Sequence, residues 1–307
     1  MKRTLWLIVL AGGSGSRLRS VTGGVPKQFW RPDGSHSLLE STLDRFAPLT
    51  APDRRLVVVD DSHRKYAASD VPHGAARMVF QQENRGTAVG LLLGLVPVLA
   101  HDPDAVVLVT PSDHGVRNET LFQDACAEGV GHVRGHGGIL VFGVRTDHPG
   151  ADYGWLSVVP QSSGSRIVAV SQLIEKPAPA VARDLFASGA LVNTSILVAR
   201  AQTLLDVYRS TVPDVGAPFV GALTVPSAYR DAFLRSRYGR LDHADLSRDV
   251  LARARGVSAY DLPREIGWTD LGTPTRLHEW LRGGSVAASP TLAPARATLS
   301  SSSSARS

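Results

Sequence analysis

Six consecutive apolar residues, Leu5 to Leu10, constrain this chain more than any other stretch. A strand with one wet face alternates apolar and polar side chains, so a run that is apolar throughout must be covered on both faces. Such a strand belongs inside a parallel sheet with helices above and below it. It empties into Ala11-Gly12-Gly13-Ser14-Gly15-Ser16 and then Arg17, with Lys27 following Pro26. Glycines at the C-terminal end of a strand let backbone N–H groups approach an anion closely. The expected result is a polyphosphate cradle built from Leu10, Ala11, Gly12, Gly13 and Gly15, with Arg17 and Lys27 as its cations.

The pattern repeats. Further β-rich runs lie at 56–59, 78–80, 105–109 and 138–144, and segments with helical spacing lie at 37–46, 87–99 and 119–133. Alternation of this kind predicts an α/β fold with a doubly wound, mainly parallel sheet. Ligands of such sheets bind at the carboxyl ends of the strands, where both the glycine loop and Pro111-Ser112-Asp113-His114 fall. From about residue 152 the strands shorten (156–159, 167–174, 195–198), which reads as a smaller elaboration packed on the same sheet. Residues 1–282 are expected to form one catalytic unit, with a nucleotide half at about 1–150 and a second half at about 151–282. Residues 283–307 are of low complexity and are expected to be disordered.

Composition narrows the classes of function. The net charge is +5, but the arginines are scattered and no basic tract appears, which argues against a nucleic-acid surface and fits anionic small molecules. Only four of the 33 basic residues are lysine, and two of these, Lys27 and Lys176, sit in Pro-Lys-Gln and Glu-Lys-Pro. A lysine kept in an arginine-biased chain fits a site that needs a compact ammonium rather than a planar fork, although solvated lysines placed by chance would look the same. Cys126 is the one cysteine, so neither a disulfide framework nor a thiolate metal site is expected; it reads as a core or boundary thiol. No apolar stretch is long enough to span a bilayer. Met1-Lys2-Arg3-Thr4 superficially mimics a signal peptide, but the run behind it leads into glycines rather than a cleavage site, so a cytoplasmic location is expected. His132 and His136 have metal-ligand spacing, yet the glycines at 135, 137 and 138 predict a solvated loop there.

The glycine loop is neither of the commoner phosphate motifs. No Gly-Lys pair exists for a Walker loop, and a dinucleotide fingerprint needs glycine where Leu18 stands; Asp60 or Asp61 could still be argued as its acidic partner. Leu10-Ala11-Gly12-Gly13-x-Gly15-x-Arg17-Leu18 with Pro26-Lys27-Gln28-Phe29 resembles the sugar-1-phosphate nucleotidyltransferases, most closely the mannose-1-phosphate guanylyltransferases. The resemblance covers roughly residues 4–282. It implies that the segment from Gln81 to Ala88, including Gln82, Gly86 and Thr87, contacts the base. It also implies that Asp113 and Asp270 ligate Mg²⁺. Tyr153, Gly154, Glu175, Lys176 and Asn193 would receive the sugar phosphate. The substrates would be a nucleoside triphosphate and a sugar 1-phosphate, with no nucleic acid or membrane partner and an oligomer possible.

The residues fit that chemistry on physical grounds. Nucleotidyl transfer brings several negative charges together, so its barrier is largely electrostatic and positional. Arg17, Lys27 and Lys176 supply cations, while two carboxylates suit a hard ion that also binds substrate phosphates. Asp113 and Asp270 could instead be ordinary turn or helix-cap residues. His114 is given no proton-transfer role. Departures from the family pattern bear on the rigidity of the loop after Arg17 (Ser20) and on specificity (the other two). Ser20 replaces a usual proline, Gly86-Thr87-Ala88 lies closer to uridylyl- and thymidylyl-transferring relatives, and Val192-Asn193-Thr194-Ser195 replaces Trp-Asn-Ser-Gly. GDP-mannose synthesis is the favoured expectation, with a UTP or dTTP enzyme for glucose 1-phosphate, or a catalytically silent homologue, as alternatives.

Overall fold

The computed structural model describes residues 5–71, 73–159 and 164–283. The tail expected to be disordered lies, from residue 284 onward, outside the described residues. In chain order the elements are β1 (Leu5–Ala11), α1 (Leu38–Arg45), β2 (Arg55–Asp60), α2 (Arg64–Asp70), β3 (Arg77–Gln81), α3 (Thr87–His101), β4 (Val106–Pro111), α4 (Glu119–His136) and β5 (Ile139–Val144). There follow β6 (Gly154–Val158), β7 (Ile167–Glu175), α5 (Pro179–Ala187), β8 (Leu191–Arg200), α6 (Ala201–Thr211), α7 (Pro213–Thr224), α8 (Ser227–Tyr238), β9 (Val257–Asp261) and α9 (Pro274–Gly283). None of the described helices is long and apolar enough to cross a membrane.

The nine strands of the described residues join one sheet in the order β3-β2-β1-β4-β8-β5-β9-β7-β6. The first four are mutually parallel, as expected. Alternate residues of β1 sort onto opposite faces. Trp6 and Ile8 pack with α3 and with Leu204 and Phe219 of α6 and α7. Leu7 and Val9 pack with Leu39 and Leu43 of α1 and with Phe122 and Cys126 of α4. Each of these four strand residues is at most 7% exposed, so the double coverage read from the run Leu5 to Leu10 holds. Burial raises the Cys126 thiol pKa well above its ordinary value, as befits a core thiol.

The second half departs from the expected parallel pattern. β8 inserts antiparallel between β4 and β5, β9 is parallel to β5, and β7 is antiparallel to both β9 and β6. The sheet is therefore mixed, and the later strands extend it rather than forming a separate layer. One more expectation fails. Helix α4 runs through Gly129, Gly131 and Gly135 to His136, where the histidine pair was expected to lie in a loop. The helix ends only at Gly137, and the rings of His132 and His136 stack with centroids 4.5 Å apart on its last turn. The buried face of α4, with Phe122, Cys126, Val130 and Val133 in the core, outweighs the glycine cost of about 1 kcal/mol each.

Candidate active site

The tips of β1 and β4 stand side by side, with Leu10 in register with Pro111. The glycine loop and Asp113 therefore emerge together. Gln28 donates from Nε2 to the carbonyls of Ala11 (2.7 Å) and Gly13 (3.2 Å), and Asn84 donates from Nδ2 to the carbonyl of Gly12 (3.1 Å). With its carbonyls tied down in this way, the loop keeps its amides for other acceptors. Gly15 sits at φ 58°, and a Cβ there would lie 2.8 Å from Cβ of Lys27. Glycine is thus required both for the left-handed turn and for the close approach of Lys27.

Lys27 is 6% exposed and is the electrostatic centre of this corner. Its Nζ lies 2.8 Å from Oδ2 of Asp113 and donates to the backbone carbonyl of Asp270 at 2.6 Å, across 243 residues of sequence. Asp270 arrives by a short antiparallel bridge in which Gly115 and Thr269 exchange backbone hydrogen bonds of 2.8 and 3.0 Å. Burial works against ionising Asp113, but the Lys27 ammonium, with His114 adding to it, holds the carboxyl below the usual carboxylate range. Burial also drives His114 down to about 4 against the pull of Asp113, so its ring is neutral at pH 7. Trp268 Nε1 donates to Nδ1 of His114 at 3.2 Å, which gives the ring a packing and hydrogen-bonding place.

The other half supplies the opposite wall of a cleft of about 300 Å³, where Glu175, Lys176 and Ser195 face Gly12, Gly13 and Asp113. Gly154 makes room for Glu175: a Cβ there would fall 2.4 Å from Oε2 of Glu175. Burial raises the Glu175 pKa and Asp245 adds to it, while Lys176, whose ammonium lies 3.6 Å from Oε1, opposes the rise. Asn193 is buried behind this wall. Its Nδ2 donates to Ser247 Oγ and its Oδ1 accepts from the Ser195 amide, so it shapes the wall rather than lining it. Tyr153 also lies behind the surface, with the Arg276 guanidinium 4.5 Å above its ring.

Several predicted residues thus converge: Leu10, Gly12, Gly13, Gly15, Gly86, Thr87, Asp113, Glu175 and Lys176 all line the cleft. Ala11 is buried behind it and serves through its carbonyl. Arg17 is exposed and is not among the residues that line the cleft; its Nη1 lies 3.6 Å from Oδ2 of Asp152. Gln82 corrects the sequence reading. It faces a different cavity, and its neighbour Gln81 lines the cleft instead, 3% exposed, with Oε1 buried and without a partner among the described residues. Gln81 ends β3 and Gln82 lies just past it, and the two neighbouring side chains leave toward different cavities.

Sequence reasoning also missed Arg276, which salt-bridges Asp152 and lies 3.1 Å from Oδ1 of Asp270. It missed Asp245 as well, whose Oδ2 lies 3.3 Å from the Thr87 hydroxyl at the cleft. Neither residue belongs to a short motif, and only the tertiary fold brings Asp245 to the cleft and Arg276 to Asp270. Asp113 and Asp270 are the hard donors of this corner. Among the described residues no group of three or more His, Cys, Asp and Glu side chains forms a metal cage.

A family model described as nucleotidyl transferase matches residues 7–283. The xanthan biosynthesis protein XanB of Xanthomonas campestris pv. campestris (strain B100) is 28% identical over 278 residues, covering 87% of this chain and 57% of that protein. Mannose-1-phosphate guanylyltransferase ManC of Salmonella typhimurium (strain LT2) is 29% identical over 290 residues, covering 91% of this chain and 60% of that protein. The chain thus spans about three fifths of the length of these curated relatives. A solved structure from Thermus thermophilus, named as a mannose-1-phosphate geranyltransferase, superposes with a TM-score of 0.76 at 25% identity, covering 88% of this chain and 76% of that one.

Proposed function

This chain belongs to the nucleotidyl transferase family, and from that premise we propose that it condenses a nucleoside triphosphate with a sugar 1-phosphate, releasing pyrophosphate. The observation that carries the reading is the convergence on Lys27 of Asp113 and the Asp270 backbone beneath the glycine loop, opposite Glu175 and Lys176. In the reaction an oxygen of the sugar phosphate attacks the α-phosphorus. That P–O bond forms as the bond to the β-phosphate breaks, and pyrophosphate takes the electron pair. The loop amides and the charge of Lys27 hold the β- and γ-phosphates. Gln81 offers its unpartnered acceptor to a base N–H. Glu175 accepts from sugar hydroxyls, and the half-exposed Lys176 ammonium neutralises the attacking phosphate.

The donor set suits magnesium. Asp113 and Asp270 are hard oxygen ligands, and such an ion binds through one or two carboxylates plus substrate phosphates. Bound there, it would neutralise phosphate charge and orient the triphosphate for in-line attack. Lys27 holds Asp113 ionised for that task, and Arg276 holds the Asp270 carboxylate ready.

The finer reading is GTP and mannose 1-phosphate as substrates, giving GDP-mannose. It draws support from the names of the relatives. A matrix of GTP, UTP, dTTP and ATP against mannose, glucose and galactose 1-phosphates, read by pyrophosphate release, tests both levels. The expected result is fastest release with GTP and mannose 1-phosphate. Turnover with UTP or dTTP and glucose 1-phosphate but not with GTP overturns the choice of base and sugar, and tight nucleotide binding with no release in any pair overturns catalysis.

A further inference from the structure

A second cavity, open and larger than the cleft at about 700 Å³, lies on the far side of the same wall, bounded by β3, α3 and α8. Residues 81 and 82 divide the two: Gln81 faces the cleft and Gln82 faces this cavity. Its rim carries four guanidinium groups, those of Arg64, Arg77, Arg230 and Arg235, against the carboxylates of Asp61 and Asp231.

The charges are unequally committed. Arg64 is paired with Asp61 at 2.5 Å and lies 3.7 Å over the ring of Phe80. Arg230 donates to the carbonyls of Ala222 and Val225 and so ties the end of α7 to α8. The guanidinium groups of Arg77, on the edge strand, and Arg235, on α8, have no partner among the described residues. Asp231 stands one helical turn before Arg235 without pairing with it.

The cavity has the chemistry of a ligand site. Leu93, Val96 and Pro97 of α3 and Leu234 of α8 give it an apolar floor, and the arginines edge it. Its volume falls in the range of small-molecule pockets. Planar guanidinium forks that lack a carboxylate match phosphate oxygens in pairs of hydrogen bonds. We propose that this cavity is a second binding site, for a phosphate ester of nucleotide size, with its phosphate between Arg77 and Arg235 and its apolar or flat body over α3. An occupant would touch Gln82, whose chain neighbour Gln81 lines the cleft.

Equilibrium dialysis of the whole protein with radiolabelled GMP tests this, the reference being the doubly substituted Arg77→Glu, Arg235→Glu protein. The native protein is expected to bind one more GMP per chain than the variant, with basal pyrophosphate release unchanged. That difference of one is independent of what the cleft accepts: a cleft that takes GMP gives two sites against one, and a cleft that refuses it gives one against none. Competition by unlabelled AMP but not by inorganic phosphate at equal concentration identifies the whole ester as ligand, whereas equal competition by phosphate overturns the role given to the apolar floor. Equal GMP stoichiometry in both proteins overturns the site. Arg77→Ala with Arg235→Ala, which adds no repulsive charge, should also lose at least tenfold in affinity; native affinity there overturns the arginines' role even if the Glu variant is poorly folded.

Discussion

Lys176, Ser195 and Leu271 are the described non-glycine residues with positive φ, at 47°, 59° and 47°. Two of them line the cleft and the third follows Asp270 directly. Such backbone costs of order 1–3 kcal/mol per residue and persists where the surroundings over-determine it, typically at sites of function. In this chain the surroundings are identifiable: the Lys176 amide donates to the Tyr153 carbonyl, and the Ser195 amide to Oδ1 of Asn193. The same logic frames the test of Asp113. Replacing it with Asn keeps the shape but removes the charge that faces the buried Lys27 ammonium and would face the metal. Asp113→Asn is expected to lower kcat roughly 10²-fold or more, with the fold retained. Steady-state kinetics beside a circular-dichroism melt check this, and near-native kcat in the folded variant removes Asp113 from the metal assignment.

At the scale of elements, the loops at strand ends hold the site because neighbouring backbones approach each other unusually closely. Gly154 opens β6 opposite the end of β7, and its lack of a side chain leaves space for the Glu175 carboxylate. A methyl group at that point meets Oε2 at 2.4 Å, so the carboxylate must swing out of place. Gly154→Ala is therefore expected to raise KM for the sugar phosphate roughly tenfold, about 1.4 kcal/mol, and to leave KM for the triphosphate close to native; equal changes in both constants would contradict the assignment of Glu175 to the sugar. This element also marks how far the sequence can be read. The first-half strands were legible because they are apolar on both faces, and their C-terminal ends predicted the glycine loop and Asp113. β6, β7 and β8 were found as strands, but β7 and β8, at nine and ten residues, are longer than the first-half strands where shorter ones were expected, and their antiparallel direction was not found, since direction depends on partners distant in sequence. β9 (Val257–Asp261) escaped altogether. Gln82 stood for Gln81 because family spacing locates a segment, whereas which of two neighbouring side chains enters the cleft depends on how the end of β3 meets the loop after it.

At the scale of the molecule, the cleft joins two halves that one sheet holds in fixed relation. β1 and β4 deliver the glycine loop and Asp113, β7 and β8 deliver Glu175, Lys176 and Ser195, and the segment before α9 folds back to set Asp270 against Lys27. Both acidic residues already have cationic neighbours, Asp113 in Lys27 and Asp270 in Arg276. Among the described residues, neither Asp113 nor Asp270 is therefore an uncompensated carboxylate that an ion must neutralise for the chain to stay folded. A metal bound there would belong to the substrate complex, with triphosphate oxygens beside the carboxylates. Chelation with EDTA is accordingly expected to reduce turnover by ~10²-fold or more, because several kcal/mol of charge stabilisation is removed. The melting temperature of the substrate-free protein should stay constant. Restoring Mg²⁺ should restore the rate, and calorimetry should detect tight Mg²⁺ binding only when triphosphate is present. Full turnover in chelator would remove the metal from the reaction, while a chelator-induced fall in melting temperature would make the ion a structural one and reverse the account of Lys27 and Arg276.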